Sequence, residues 1–326
     1  MPDNNISIAK INRGYGFAVV SALFLSTTAI FIRHLTQTYE VPALVLAFWR
    51  DGFVTLTLFP LFLIIKPGLL KINRVYIKYL LAYGFVLAIF NAFWTLSVSL
   101  NGAAISTVLV YSSAAFTAIL GWRLLQENLN RVKILAITLS LAGCVLVSGA
   151  YTSQAWQSNF LGILTGIFSG LLYAIYSLMG RTASNKGLNP WTTLFYTFGF
   201  AAVFLFIANI IPGDFLPGKA SLPGDFMWLG NAFDGWLVLF LLAAIPTVAG
   251  FGFYNVSLSY LPSSIANLIA TLEPAFTAFS AYILLGEKLT LIQIFGSLVT
   301  LTGVVFLRIF EDYKRKRLTY STLEAD

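Results

Sequence analysis

Residues 261–307 read LPSSIANLIATLEPAFTAFSAYILLGEKLTLIQIFGSLVTLTGVVFL, and residues 101–147 lie beneath them in constant register without a gap. Ala115-Phe116-Thr117-Ala118 meets Ala275-Phe276-Thr277-Ala278, Leu124-Leu125 meets Leu284-Leu285, and Glu127 meets Glu287. Ile134, Leu141, Gly143 and Val145 meet Ile294, Leu301, Gly303 and Val305, while Phe93, Ser97 and Ser99 extend the match against Phe253, Ser257 and Ser259. The chain holds one unit twice, so any fold proposed for one copy must also fit the other.

That unit is built for lipid. Of 326 residues only 10% are charged and 58% are hydrophobic, against about 25% charged in a soluble domain. Apolar runs close to the ~20 residues that cross a bilayer as a helix fall at 14–33, 42–65, 77–98, 104–124, 131–149, 160–181, 190–211, 236–258, 263–285 and 291–310. They do not alternate, which excludes a β-barrel. The expected fold is an all-α membrane protein with ten transmembrane helices in two repeats of five. Because five is odd, the second copy enters from the opposite side, making the pair inverted, as in secondary transporters whose sites lie between repeats.

Lys and Arg set the orientation. Lys66, Lys71, Arg74 and Lys78 follow span two, Arg123, Arg131 and Lys133 surround the loop after span four, and Arg181 and Lys186 follow span six. Arg308 and Lys314-Arg315-Lys316-Arg317 follow span ten. The loops 99–103 and 150–159 are uncharged, and the segment after span seven carries Asp214, Asp225 and Asp234 against Lys219. Both termini are therefore expected in the cytoplasm, in a plasma membrane (the inner membrane of a bacterium). The expected units are a cytoplasmic tail 1–13, a first repeat 14–149, a linker 150–159, a second repeat 160–310 and a cytoplasmic tail 311–326.

Several chemistries drop out. One cysteine, Cys144 in an apolar setting, and one histidine, His34 at the end of the first span, leave no Cys cluster, zinc site or catalytic triad. No Gly-x-Ser-x-Gly turn with a base and no phosphate loop is present. The reading is not an enzyme, with no metal or cofactor and no nucleic-acid partner; the net charge of +7 belongs to the loops.

The doubled pattern resembles the EamA-type branch of the drug/metabolite transporter superfamily over residues 14–310. The resemblance rests on Leu272-Glu273-Pro274-Ala275-Phe276 followed by Leu284-Leu285-Gly286-Glu287-Lys288-Leu289, on the weaker copy Leu124-Leu125-Gln126-Glu127-Asn128-Leu129, and on Leu46-Ala47-Phe48-Trp49-Arg50. Two departures stand out: no tryptophan occurs in 23–28, and Ser113-Ala114 stands where Ser-Pro is usual. The resemblance implies ten helices in two repeats and export of amino acids, other metabolites or drugs.

Glu273 lies midway along its span, where a carboxylate is tolerated only against protein or water. It suits reversible protonation or a ligand ammonium; the other reading is that it satisfies carbonyls freed by Pro274. Helical spacing puts Ala266, Glu273, Thr277 and Ser280 on one stripe, with Ser106, Ser113 and Thr117 as the stripe of the other copy. Arg50 and Asp51 are neighbours about 100° apart on a helix and so call for separate partners. Arg50 is either an anchor for a substrate carboxylate or part of a fixed inter-helix pair. Glu127 and Glu287 are expected to begin the helices that follow them, near the positive end of each dipole. Asn91, Trp94, Tyr111, Tyr173, Tyr176, Tyr254, Asn255 and Asn267 complete a polar, aromatic pocket, or bond between helices. The seams Ala136/Ser140/Gly143 and Gly296/Thr300/Gly303 read as packing faces.

The functional expectation is a secondary transporter, an exporter or exchanger of small metabolites working by alternating access. Amino acids are favoured, because Glu273 and Arg50 match an ammonium and a carboxylate, and protons through Glu273 are the candidate coupling ion. The other readings kept open are a drug or nucleoside exporter of the same family and a non-transporting membrane sensor or scaffold.

Overall fold

The structure, a computed structural model, describes residues 8–153, 159–211, 216–285 and 290–323. The expected turn at Gly286-Glu287-Lys288-Leu289 and Asp214 lie outside them. Within them the chain is helical, with no strand: α1 Ile8–Leu25, α2 Thr28–Thr38, α3 Ala43–Ile65, α4 Ile77–Tyr111, α5 Ser113–Leu125, α6 Arg131–Ser148 and α7 Phe160–Asn185. Then follow α8 Pro190–Ile210, α9 Phe233–Leu242, a π-helical turn Ala243–Thr247, α10 Val248–Tyr260, α11 Ser263–Ala270, α12 Glu273–Leu285 and α13 Leu291–Leu323.

Eight helical stretches among the described residues are long and apolar enough to cross a membrane, against the ten expected. The difference has two physical sources. The 52-residue stretch Arg74–Leu125 is continuous only by its hydrogen bonding. At Gly102 φ is 75° and ψ 170°, a conformation open mainly to glycine, and the chain turns back on itself. Ser97 Oγ donates to Ser106 Oγ at 2.9 Å, whereas nine residues of straight helix would part them by about 13 Å. The expected ninth span, 263–285, is instead two helices of 8 and 13 residues, each too short to cross alone.

The other interruptions have local causes. Between α1 and α2, Ser26 Oγ and Thr27 Oγ1 donate to the carbonyls of Leu23 and Phe24 at 2.6 and 3.0 Å, drawing them out of the ladder. Pro246 sits inside the π turn; lacking an N–H, it cannot close an ordinary helical bond there. Between α11 and α12, Pro274 likewise removes a donor, and the last amides tighten onto i−3 carbonyls, Thr271 N to Leu268 O at 3.1 Å and Leu272 N to Ile269 O at 3.0 Å. The Cys144 thiol donates to the Thr271 carbonyl at 3.3 Å, so the lone cysteine helps seal the break.

The two small-residue seams pack against each other, α6 along α13. A Cβ on Gly303 would stand 2.6 Å from Ser140 Oγ and 2.8 Å from the Ala136 carbonyl, so the backbones touch through positions that only glycine can fill. Close approach of this kind replaces the hydrophobic drive that lipid does not supply. Gly303→Val is expected to force the pair apart and destabilise by about 1–3 kcal/mol, read as a lower melting temperature in detergent, while Leu298→Val on the exposed side of α13 leaves it unchanged.

Candidate functional site

Arg50 and Asp51 lie on α3, 1% and 0% exposed. The sequence reading gave them separate partners; instead they pair, Arg50 Nε donating to Asp51 Oδ1 at 3.3 Å. Divergent Cβ directions do not prevent this, because the long arginine stem folds back over the short aspartate. Asn91 on α4 completes the unit, its Nδ2 donating to both carboxylate oxygens at 2.9 and 2.7 Å. The two bonds fix the amide, with nitrogen toward the carboxylate and Oδ1 away from it. Arg50 Nη2 and Asn91 Oδ1 are left buried without a protein partner among the described residues.

Both residues line a narrow central cavity of about 30 Å³ with Trp94, Tyr111, Tyr173 and Glu273. Six of the residues singled out from sequence therefore meet at one place. Glu273, 6% exposed, begins α12 at the break and accepts from the Tyr111 hydroxyl. Among the described hydrogen bonds its carboxyl meets neither the Ala270 carbonyl, which Pro274 leaves without its amide, nor the Thr271 carbonyl, which Cys144 takes. The cavity thus has a guanidinium donor on one wall and a tyrosine-held carboxyl on another, between apolar faces of Leu25, Phe90, Val110 and Phe251. Its volume suits a water or two, far less than the roughly 300–1,000 Å³ of metabolite sites, so a ligand requires the walls to part.

The other candidates lie elsewhere. Ser113 Oγ donates to Asn267 Oδ1 at 2.9 Å, and Asn267 Nδ2 reaches Ser177 Oγ and the Tyr254 hydroxyl, both at 3.2 Å. The Tyr176 hydroxyl donates to Asn255 Oδ1 at 3.1 Å. This web ties α5, α7, α10 and α11 together, and among the described residues it leaves Asn255 Nδ2 buried without a hydrogen-bond partner. Thr277 donates to the Ser26 carbonyl at 2.7 Å and to the Glu273 carbonyl at 3.0 Å. It lines a second, larger space of about 470 Å³ with Arg33, Thr107, Ser148, Pro274 and Gln293. Of the stripe drawn through Ala266, Glu273, Thr277 and Ser280, the last three share α12, while the break after Ala270 sets Ala266 on α11 apart from them. His34 is exposed, bonded to Thr38 Oγ1 at 3.2 Å.

Sequence reasoning missed Thr28, whose buried hydroxyl lines the cavity without a partner among the described residues; the run Ser26-Thr27-Thr28 in mid-span was the signal. It also missed Leu25, Val110 and Phe251, which nothing sets apart from other apolar residues. Glu127 does not begin α6; Asn130 caps that helix, accepting from Lys133 N at 2.8 Å. Among the described residues no group of three His, Cys, Asp or Glu side chains is placed to hold a metal ion.

The Arg50–Asp51 pair predicts its own double-mutant behaviour. Removing one partner of a buried ion pair leaves the other uncompensated, at about 3–5 kcal/mol, whereas replacing both is far better tolerated. Thermal melts of Arg50→Leu, Asp51→Leu and the double variant should show the double melting above either single; strictly additive losses would contradict the pairing.

Residues 12–149 and 160–309 each match the EamA-like transporter family. A protein of Archaeoglobus fulgidus named an uncharacterized transporter is 27% identical over 294 residues, covering 89% of this chain and 95% of its own. A protein of Escherichia coli K12 named a probable amino-acid metabolite efflux pump is 24% identical, covering 83% of this chain and 87% of its own. One crystal structure superposes with a TM-score of 0.71 at 13% identity, over 94% of this chain and 99% of the other, a likeness of fold.

Proposed function

The chain belongs to the EamA-like transporter family, and on that premise we propose that it is a secondary transporter, an exporter or exchanger, that moves amino acids by alternating access between its two repeats. Membership makes it a multi-pass membrane protein of a family that handles small molecules. The finer reading is carried by one observation: Arg50 and Glu273 line one buried cavity. A free guanidinium N–H suits a carboxylate, and a carboxyl nearby suits an ammonium. The name of the Escherichia coli relative supports the same substrate class. The basic loops support a cytoplasmic position for both termini. Glu273 is then the group able to exchange a proton for the ligand ammonium, with Tyr111 holding its carboxyl in place.

Counterflow tests this. Liposomes holding the full-length protein and preloaded with unlabelled amino acids should accumulate labelled ones, and accumulation should vanish without preloading. No accumulation by folded, inserted protein would remove the amino-acid reading. Glu273→Gln keeps the shape of the side chain but cannot release a proton, so transport by that variant should lose the pH dependence shown by the parent. An unaltered pH profile would remove proton coupling through Glu273.

A further inference from the structure

The two ends of the bundle differ. Helix α6 rises about 25 Å from Arg131 to Ser148, and Ser148 lines the wide space while the loop before Arg131 holds Glu127. At that lower end Glu127 Oε1 accepts from Ser263 N at 2.7 Å and Ser263 Oγ at 2.5 Å. Its Oε2 accepts from Ser264 N at 3.1 Å and from Ser264 Oγ. One carboxylate from the first repeat thus caps the N-terminus of α11 in the second, where amides and dipole both favour negative charge. Lys133, 2% exposed, donates to Ser264 Oγ at 3.1 Å and to the Asn128 carbonyl at 2.5 Å. Arg181 on α7 donates to the Leu258 carbonyl at 2.8 Å, tying down the end of α10 beside it. The backbone is bent to make the cap: Gln126 takes φ 54°, a left-handed conformation uncommon outside glycine, immediately before Glu127.

Between this end and the cavity, α4 and α5 meet α11 and α12 through three successive polar crossings. They are Glu127 with Ser263 and Ser264, Ser113 with Asn267, and Tyr111 with Glu273. Beyond Glu273 the next polar residue of α12, Thr277, bonds to the Ser26 carbonyl and faces the wide space instead. A wide space thus lies on one side of the central carboxyl, and the polar crossings lie on the other.

We propose that Glu127 is the latch of the cytoplasmic mouth: its grip on Ser263 and Ser264 sets which side of the membrane the central cavity faces. Four hydrogen bonds from the first turn of α11 converge on this one side chain, so it must let go before the inner two crossings can part. Glu127 acts through α11 rather than on substrate; it is a positioning residue for the transport cycle. The inference rests on alternating access as proposed above, but its test reads accessibility and needs no transport.

The experiment uses full-length protein in sealed vesicles of known orientation, with Cys144→Ser removing the native thiol. Ser148→Cys reports the wide space, and Ala266→Cys, at a position 0% exposed on α11, reports the side of the polar crossings. A membrane-impermeant maleimide is added to one face at a time. With Glu127 present, Ser148→Cys labels from the outer face and Ala266→Cys resists. Glu127→Ala should speed Ala266→Cys labelling from the cytoplasmic face by about tenfold or more, the population shift that loss of charge-assisted bonds brings, and should slow Ser148→Cys. Unchanged rates in monodisperse Glu127→Ala protein would overturn the latch, as would faster labelling at both reporters, which marks general loosening. If Glu127→Ala fails to insert, Ser263→Ala with Ser264→Ala, which removes two of the four donors, must shift the reporters in the same opposed directions; no shift overturns the proposal.

Discussion

A helix interrupted inside a bilayer leaves amides and carbonyls that no water reaches, and each must find a partner in the protein. This chain is interrupted several times, and side chains of other helices supply partners at the breaks. The α11–α12 break gives up the Thr271 carbonyl to Cys144, while the α1–α2 break gives up the Ser26 carbonyl to Thr277. Ser112 between α4 and α5 occupies the place in the first repeat that Leu272 occupies in the second. The two breaks are equivalents related by the inversion, and the Tyr111–Glu273 bond joins their flanks. The polar cavity lies where sequence and lipid together forbid a continuous helix.

Charge at that depth is handled by pairing. Arg50, Asp51 and Asn91 form a unit that neutralises itself yet, among the described residues, leaves the Arg50 Nη2 group and the Asn91 amide oxygen without a partner. Among the described residues the Glu273 carboxyl is held by the Tyr111 hydroxyl and by no ion pair, so on the proposed reading a ligand or a proton would displace only that bond. A strong site would hold its cargo and stop the cycle. On the transport reading proposed above, a guanidinium with an unpaired Nη2 opposite a tyrosine-held carboxyl would bind and let go.

Much of this was legible in the chain. The inverted repeat followed from register and the parity of five spans, and Glu273 stood out because a mid-span carboxylate must face protein or water. Helical phase misled where the backbone is broken: the stripe through Ala266 and Thr277 fails across Thr271 and Leu272, and the count of crossing helices departs from ten at Gly102 and again at that break. Arg50 with Asp51, and Glu127 with Ser263, were hidden for another reason. Side-chain reach and tertiary approach decided them, and neither has a period in sequence. The Asn267 web was visible as a set of polar residues, but only packing reveals that its members bond to one another rather than to the cavity.

If Arg50 and Glu273 hold opposite ends of one ligand, equilibrium binding of an α-amino acid, its methyl ester and its N-acetyl derivative will show it. The parent should bind the free amino acid best. Arg50→Leu should erase the preference over the ester alone, and Glu273→Gln the preference over the N-acetyl form alone. Equal binding of all three compounds by the parent protein would contradict a cavity that reads both charges.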